Sequence, residues 1–364
     1  WSSDVCSSDL FSAVALKSYS QGVVIPTNAS QADFLKAYKL VFDYSDNNFR
    51  LNDGGDSILF PQAGEYSVYW AKTGANRGSF IIADTLTAAY SSVTANPYGV
   101  YNWSNAEHAA IQFKRAEKPV AIFQSQIKQN NVSISWEALY FRNMFNTWLF
   151  NDIYSFVNEN NLDTSFLPST TKLLIIPAFS VNGVSVTFYI DSLVNSHPNL
   201  KARIDTFLVH GGSVYTEGNA VYFLEKLGYL NAGAVDFTNP INPNPVTNLC
   251  PINVTSPANP LSFAADACSN ALYSVPIPKV NCASAEVVAT LTTGDPAVFV
   301  LKGQQALGGR IICNLGIPTA GGINNVLQGS KQLEWSLNAV LYSFCNNVDV
   351  TRSLFNDLPA GIIA

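Results

Sequence analysis

The fold is decided by two stretches, LLIIPAFSVNG at residues 173–183 and RIDTFLVHGGSVYTEGNAVYFLEKLGYL at residues 203–230. The first begins with four apolar residues and breaks at Pro177, which is the pattern of a buried strand followed by a loop. The second predicts a helix that a double glycine ends, an apolar strand over 213–216, and a second helix that Gly228 stops. This repeated order predicts a doubly wound, mostly parallel sheet of the α/β class.

The same alternation extends outward from these stretches. It predicts strands at Val120–Gln124, Asp163–Leu167, Glu286–Leu291, Ala297–Lys302 and Arg310–Asn314, and helices at 135–149 and Leu333–Cys345. Together the elements predict one α/β domain over residues 118–350. Residues 231–285 interrupt it with many prolines and asparagines, which indicates a long insertion or arm.

The stretch 171–230 resembles proteins of the class I glutamine amidotransferase-like superfamily, whose fold is flavodoxin-like. SPANPLSF at 256–263 is similar to a short segment of the trehalose-utilisation-type members, and GDPAVFVLKGQQALGGRIICNLG at 294–316 resembles their late pair of strands. The resemblance covers residues 118–350 and implies the amidotransferase-like type of α/β sheet.

The residues that would perform glutaminase chemistry are absent from this pattern. In the family, a sharp strand–turn–helix elbow presents a cysteine whose thiolate the helix N-terminus stabilises. The corresponding turn reads Tyr215-Thr216-Glu217-Gly218-Asn219, and no cysteine lies between Cys6 and Cys250. The His–x–Glu partner that the resemblance implies is also missing, because that region reads Asn314-Leu-Gly-Ile-Pro318. We therefore expect no glutaminase activity.

Two residues of the elbow remain candidates for other chemistry. The carboxylate of Glu217 could act as a nucleophile or general base, and Thr216 beside it is the other candidate. The sequence places no partner acid or base for either residue. Alternatively, Glu217 caps the following helix and interacts with its dipole, while Gly218 allows close approach of the chain. Gly218 and Asn219 are candidates for lining a pocket. We predict a helix start here rather than an active site.

The region before the α/β domain has a different character. Residues 1–10 read WSSDVCSSDL, which is the translation of a common sequencing adapter, and we set them aside. Residues 11–117 alternate short apolar runs with turn signals and predict a small α+β or β-rich unit. The predicted elements are strands at Tyr38–Tyr44, Glu65–Trp70, Ser79–Ala83 and Ala109–Phe113, and a helix at Thr85–Val93. Residues 351–364 are expected to begin a downstream segment.

Composition limits the partners. Charged residues make up only 13% of the chain and the net charge is −6, with no cluster of lysines and arginines. Nucleic acid and anionic membranes are therefore poor partners, and no apolar run approaches the roughly 18 residues of a membrane-spanning helix. The abundance of neutral polar residues favours an extracellular or cell-surface protein that binds carbohydrate or another protein.

The cysteines leave two alternatives open. Cys250, Cys268 and Cys282 lie in the Pro/Asn-rich segment, where a disulfide would stabilise a loop-rich structure. Cys313 and Cys345 follow later, and no CxxC pair occurs. The five residues are either partly disulfide-bonded or buried free thiols.

No metal site or cofactor is predicted. The histidines form no zinc-binding motif and are expected to be structural; they are His108, His197 and His210. No phosphate-binding loop or dinucleotide-binding turn is present. One acidic stretch offers oxygen ligands for calcium, but its residues are more simply explained as turn residues; they are Asp43, Asp46, Asp53 and Asp56.

Three functions are compatible with these observations. The first is a non-catalytic amidotransferase-like module of a larger secreted or surface protein, with an interaction or scaffolding role. The second is a hydrolase, with glycans as one substrate class, that uses Glu217 and requires a second titratable group nearby. The third is an accessory domain of a carbohydrate-active enzyme.

Overall fold

The computed structural model describes the α/β domain and five strands before it. The described residues are 20–26, 67–71, 79–83, 100–103, 111–112, 120–148, 153–181, 183–243, 249–256, 259, 261, 271–273, 276–301, 309–317, 335–340 and 343.

The five N-terminal strands form an antiparallel sheet. They are β1 (Ser20–Pro26), β2 (Ser67–Ala71), β3 (Ser79–Ala83), β4 (Val100–Trp103) and β5 (Ile111–Gln112), in the order β4-β1-β3-β2-β5. The predicted strand at Ser79–Ala83 is confirmed, and those at Glu65–Trp70 and Ala109–Phe113 differ from β2 and β5 by one or two residues at their ends. The predicted strand Tyr38–Tyr44, the helix Thr85–Val93 and the four aspartates lie outside the described residues.

The α/β domain is built on a nine-stranded sheet. Its strands are β6 (Val120–Phe123), β9 (Tyr154–Val157), β10 (Leu173–Ile176), β11 (Ser213–Glu217), β13 (Leu249–Val254), β14 (Ala271–Tyr273), β16 (Ala285–Leu291), β17 (Pro296–Leu301) and β18 (Arg310–Asn314), in the order β14-β13-β16-β17-β18-β11-β10-β6-β9. The five strands from β18 to β9 are parallel, whereas β17, β16, β13 and β14 continue the sheet antiparallel. The predicted α/β class is confirmed.

Two small antiparallel pairs complete the described strands. They are β7 (Lys128–Gln129) with β8 (Val132–Ser133), and β12 (Val235–Ile241) with β15 (Ile277–Val280). The Pro/Asn-rich segment 231–285 thus contains β12 and β15, and it also supplies β13 and β14 at the end of the main sheet.

The helices differ from the prediction in two places. They are α1 (Ala138–Trp148), α2 (Glu159–Thr164), α3 (Gly183–Ser196), α4 (Leu200–Val209), α5 (Val221–Lys226), which follows a 3-10 turn at Gly218–Ala220, and α6 (335–340). The predicted strand at Asp163–Leu167 is wrong, because Asp163 and Thr164 end helix α2, which a capping box between Asn158 and Asn161 begins, and residues 165–167 form no strand. Helix α3 was not predicted.

Helices cover both faces of the parallel strands. Tyr215 of β11 lies on one face, where the ring of Phe141 from α1 packs edge-on against it at 6.1 Å. Phe123 of β6 lies on the opposite face and stacks on Phe223 of α5 at 6.0 Å. Because both faces are covered, β6, β10, β11 and β18 are buried along their whole length. The sheet is therefore doubly wound, as predicted.

Three of the five cysteines are free thiols rather than members of a disulfide. Cys250, Cys282 and Cys313 are buried free thiols, while Cys268 and Cys345 lie outside the described residues. No helix in the described part of the chain is both long enough and apolar enough to cross a membrane.

Candidate functional site

The elbow between β11 and α5 is a tight turn that requires glycine at residue 218. Gly218 has φ +56°, in the left-handed region that side chains disfavour. A Cβ atom there would lie 3.0 Å from Cγ1 of Ile317 and 3.2 Å from Cβ of Ala178. The N–H of Gly218 donates to the carbonyl of Gly316 at 3.0 Å. The turn is therefore pressed against the chain that follows β18.

Asn219 holds the elbow to the loop that follows β10. Its Oδ1 accepts the N–H of Phe179 at 2.7 Å, and its Nδ2 donates to the carbonyl of Phe179 at 2.8 Å. One amide side chain thus satisfies both backbone groups of one residue. Asn219 was a candidate for lining a pocket, and the structure uses its polar atoms to join two loops.

Glu217 is fully buried and points away from the helix that follows it. Its Oε1 accepts hydrogen bonds from the hydroxyls of Tyr215 at 2.9 Å and Ser336 at 2.8 Å. Its side chain makes no capping bond to the 3-10 turn, and the residue at the N-cap of α5 is Ala220. The prediction that Glu217 caps this helix is therefore wrong. The strand geometry explains the difference, because residues 215 and 217 project to the same face of the sheet, where α6 supplies Ser336.

The Tyr215 hydroxyl is the centre of this buried cluster. Burial, together with the nearby negative charge of Glu217, raises the pKa of Tyr215 well above its ordinary value. The phenol therefore stays protonated and acts as a hydrogen-bond donor to Glu217. Asn314 Nδ2 in turn donates to the Tyr215 oxygen at 3.3 Å. The cluster joins β11, β18 and α6.

Thr216 points to the opposite face of the sheet from Glu217. Its parallel partner in β18 is Cys313, whose thiol is fully buried, and burial raises the pKa of Cys313 to about 12. The sheet thus separates the two candidates for elbow chemistry. Thr216 and Glu217 do not act on one reacting atom in this arrangement.

The late strand end, where the resemblance implied a histidine, is occupied by Asn314. Besides contacting Tyr215, its Oδ1 accepts the N–H of Gly316 at 3.0 Å. The two described histidines lie elsewhere: a ring nitrogen of His197 contacts the carbonyl of Leu193, and His210 ends α4. Among the described residues, no group of three His, Cys, Asp or Glu side chains is arranged to hold a metal.

A second carboxylate near the elbow was not recognised from the sequence. Glu137, just before α1, accepts a hydrogen bond from the hydroxyl of Ser180 in the loop after β10. Burial raises the pKa of Glu137, and the bond from Ser180 opposes that rise. Glu137 lies within the helix predicted at 135–149, and its pairing with a residue 43 positions away leaves no local signal in the sequence.

A cleft lies at the same sheet edge, beyond the ends of β6 and β9. Its volume is about 540 Å³, and its lining includes Gln124, Lys128, Phe156 and Asn158. Neither Thr216 nor any other predicted site residue lines it. The only local sequence signal was the pair Asn130-Asn131, which has positive φ at both residues and makes the hairpin turn between β7 and β8.

A third feature lies at the opposite edge, before β10 and β11. A cavity of about 460 Å³ lies there, and its lining includes Phe166, Phe207, Arg203 and His210. The guanidinium of Arg203 stacks on the ring of Phe166 at 4.0 Å.

Comparisons with known proteins give only distant structural similarity. No protein-family model and no curated protein matches the sequence. Similar solved structures include a ThuA-like protein from Bacteroides uniformis, with 11% identity, a TM-score of 0.39, and coverage of 64% of this chain and 93% of that one. PurLQS from Thermotoga maritima shares 15% identity at a TM-score of 0.38, with coverage of 61% and 99%. A β-galactosidase from Rahnella sp. R3 shares 14% identity at a TM-score of 0.33, with coverage of 66% and 33%. At these identities the likeness concerns the fold alone.

Proposed function

We propose that this chain is a non-catalytic amidotransferase-like module of a larger secreted or cell-surface protein, with an interaction or scaffolding role. The observation that carries the proposal is the elbow itself. In a nucleophile elbow, the strained residue at the turn carries the nucleophile. Here the residue with positive φ is Gly218, which has no side chain, and an added Cβ would lie only 3.0 Å from Ile317.

The surrounding polar groups support the same proposal. Glu217 and Ser336 are fully buried, Tyr215 and Asn314 are 1% exposed, and these side chains bond to one another. A reacting group must be reached by substrate, and a general base must lie within hydrogen-bond reach of the proton it removes. These residues are positioned to stabilise the packing of α6 on the sheet.

A hydrolase that uses Glu217 is the second candidate. One observation favours it: Tyr215 is a second titratable group, 2.9 Å from the carboxylate. Against it stands the complete burial of Glu217, which lines neither of the two cavities described above. An accessory role beside a carbohydrate-active catalytic domain is a variant of the interaction role and uses the same closed elbow.

Activity assays distinguish these candidates. The purified chain is incubated with glutamine and with aryl ester and aryl glycoside substrates, next to Glu217→Gln, which keeps the shape of the side chain. We expect equal background rates for the two proteins and for Thr216→Val, a matched control on the other face of the strand. The non-catalytic proposal would be overturned if the wild type turned over one of these substrates and the folded Glu217→Gln variant did not.

The complete reading frame tests the architecture. We expect an export signal before the five-stranded sheet and a surface-anchoring or adhesion domain after the α/β domain. A flanking glycosidase domain would favour the accessory role instead. A cytosolic protein without an export signal would contradict the proposed location.

A further inference from the structure

We propose that the cleft at the ends of β6 and β9 binds a neutral sugar, in the size range of a monosaccharide or disaccharide. The inference rests on the proposed interaction role and gives it a ligand. In open α/β sheets, ligands bind at the edge formed by the carboxyl ends of the strands, where the strand order reverses. Strand β6 borders this reversal, with β9 on one side of it and β10 on the other. The cleft lies at that edge, and its volume of about 540 Å³ is within the usual range for small-molecule sites.

One wall of the cleft is held in place by a buried carboxylate. Glu159 is 2% exposed, and both of its oxygens accept the backbone N–H of Gln126, at 2.9 and 3.0 Å. A buried charge is costly unless it is hydrogen-bonded, so this side chain is committed to the loop that follows β6. The wall is therefore held by hydrogen bonds within the protein itself.

Serine hydroxyls hold the same loop from the other side. Ser135 Oγ accepts the N–H of Ser125 at 3.0 Å, and the Ser125 hydroxyl accepts the N–H of Ile127 at 3.1 Å. Ser133 Oγ donates to the carbonyl of Ser125 at 2.8 Å. These bonds join the loop to the β7–β8 hairpin. Pre-organisation of this kind lowers the entropic cost of binding.

The cleft also presents polar groups that the fold does not use. Within the described residues, the side chains of Gln124 and Lys128 form no hydrogen bond or ion pair, and the Nδ2 of Asn158 donates to no protein acceptor. Amide groups both donate and accept, which matches the hydroxyls of a sugar. Such groups at the cleft surface are available to a ligand.

An exposed aromatic ring completes the site. Phe156 is 38% exposed although it lies on a strand. Tyr154 packs edge-on against it at 5.7 Å, and Tyr154 itself stacks on Phe145 at 5.6 Å. The Phe156 ring is thus supported from its own strand and remains accessible from the cleft. An apolar ring beside amide and hydroxyl groups fits the apolar face and the hydroxyl rim of a pyranose.

Charge favours a neutral ligand over an anion. Among the described residues that line the cleft, Lys128 is the only charged side chain, and it is exposed. A single exposed ammonium contributes little to anion binding at physiological salt. None of these described lining residues carries a carboxylate, which leaves no reason to expect a cationic ligand.

Binding is tested with glucose, galactose, mannose, N-acetylglucosamine and lactose at millimolar concentrations, by saturation-transfer NMR and calorimetry. We expect at least one of them to bind. Phe156→Ala should weaken the affinity about tenfold through loss of apolar contact. Phe166→Ala removes an exposed ring at the opposite edge of the sheet and should leave the affinity unchanged. Gln124→Ala provides a second test if Phe156→Ala does not fold.

Each outcome bears on one of the two proposals. Failure of every sugar to bind, or equal binding by the wild type, Phe156→Ala and Gln124→Ala, would overturn the sugar site and leave the non-catalytic role standing. Binding of inorganic phosphate that Lys128→Gln abolishes, without sugar binding, would also overturn it. Cleavage of lactose during the experiment would instead contradict the non-catalytic proposal, since a binding module returns its ligand unchanged.

Discussion

The elbow after β11 and the cleft after β6 lie at the same edge of one sheet and use their polar residues in opposite ways. At the elbow, Glu217 and Ser336 are fully buried, and their polar atoms bond to each other and to Tyr215. At the cleft, Gln124 and Lys128 stand at the surface without protein partners among the described residues. At the carboxyl edge of the parallel strands, these elbow side chains are therefore buried, whereas those of Gln124 and Lys128 after β6 are accessible to solvent.

The difference teaches that a carboxylate at a sheet edge is not in itself a sign of chemistry. Glu217 and Glu159 both lie at this edge, and each binds hydrogen-bond donors of the protein. Both stabilise the structure, one by joining a helix to the sheet and the other by holding a loop. What separates a structural polar group from a binding group here is whether its hydrogen bonds are already made.

The largest expected effect is on stability at the elbow. Glu217→Ala would leave the hydroxyls of Tyr215 and Ser336 buried without their acceptor and would open a cavity, which should lower the free energy of unfolding by about 3 kcal/mol. Glu217→Gln keeps an oxygen acceptor and should cost distinctly less. Urea unfolding followed by circular dichroism measures both. If the urea midpoint of Glu217→Ala equals that of the wild type, the buried cluster does not stabilise the fold.

A second test concerns the backbone of the elbow. Gly218→Ala should lower the free energy of unfolding by about 2 kcal/mol, because the left-handed conformation costs about 1–2 kcal/mol for a residue with a side chain and the new Cβ crowds Ile317 at 3.0 Å. Gly233→Ala is a matched control, since Gly233 also has positive φ but has nothing within 4 Å of the added Cβ. Equal losses for the two variants would show that conformational strain, and not crowding, dominates.

Much of the fold was predictable because its main signals are local. The apolar strand Leu173–Ile176 and the strand–turn–helix over 213–227 follow from runs of apolar residues and from glycines. Helix α3 was missed because its sequence, GVSVTFYIDSLVNS, is rich in β-branched and aromatic residues that favour strands. It is helical because one helical face buries Val186, Ile190 and Leu193 in the core.

The site was less predictable because its contacts are distant in sequence. The expectation that Glu217 caps a helix used only its neighbours, whereas Ser336, which directs its side chain, lies 119 residues later. The prediction that the elbow begins a helical turn agrees with the structure at Gly218–Ala220. The cleft gave no motif, since its wall depends on Glu159 bonding across 33 residues to Gln126.

A pH series probes Glu137, which lies near the elbow but is only half-buried. Burial raises its pKa, so the folded protein holds the proton more tightly than the unfolded chain does. Its stabilising contribution is therefore complete below the ordinary pKa of 4.5 and is lost as the pH rises through the raised value. The free energy of unfolding of the wild type, compared with that of Glu137→Gln, should fall across this window.

Ser180→Ala sharpens this pH test. The Ser180 hydroxyl lowers the pKa of Glu137 through its hydrogen bond, so its removal should shift the window of loss to higher pH. Urea midpoints collected at several pH values for the three proteins give the comparison. A difference between wild type and Glu137→Gln that does not vary with pH would mean that Glu137 is solvated like an ordinary surface carboxylate.

The smallest expected effect on stability lies at the cleft, and it separates the two regions most directly. Phe156 is 38% exposed and contacts Tyr154 through one ring edge, so Phe156→Ala should lower the free energy of unfolding by about 1 kcal/mol or less. The same substitution is expected to weaken sugar binding about tenfold, whereas Glu217→Gln should leave sugar binding unchanged. Urea midpoints and calorimetric titrations on both variants measure the two quantities together. A large loss of stability for Phe156→Ala would show that its ring belongs to the core. The buried elbow and the accessible cleft would then no longer differ in the way described.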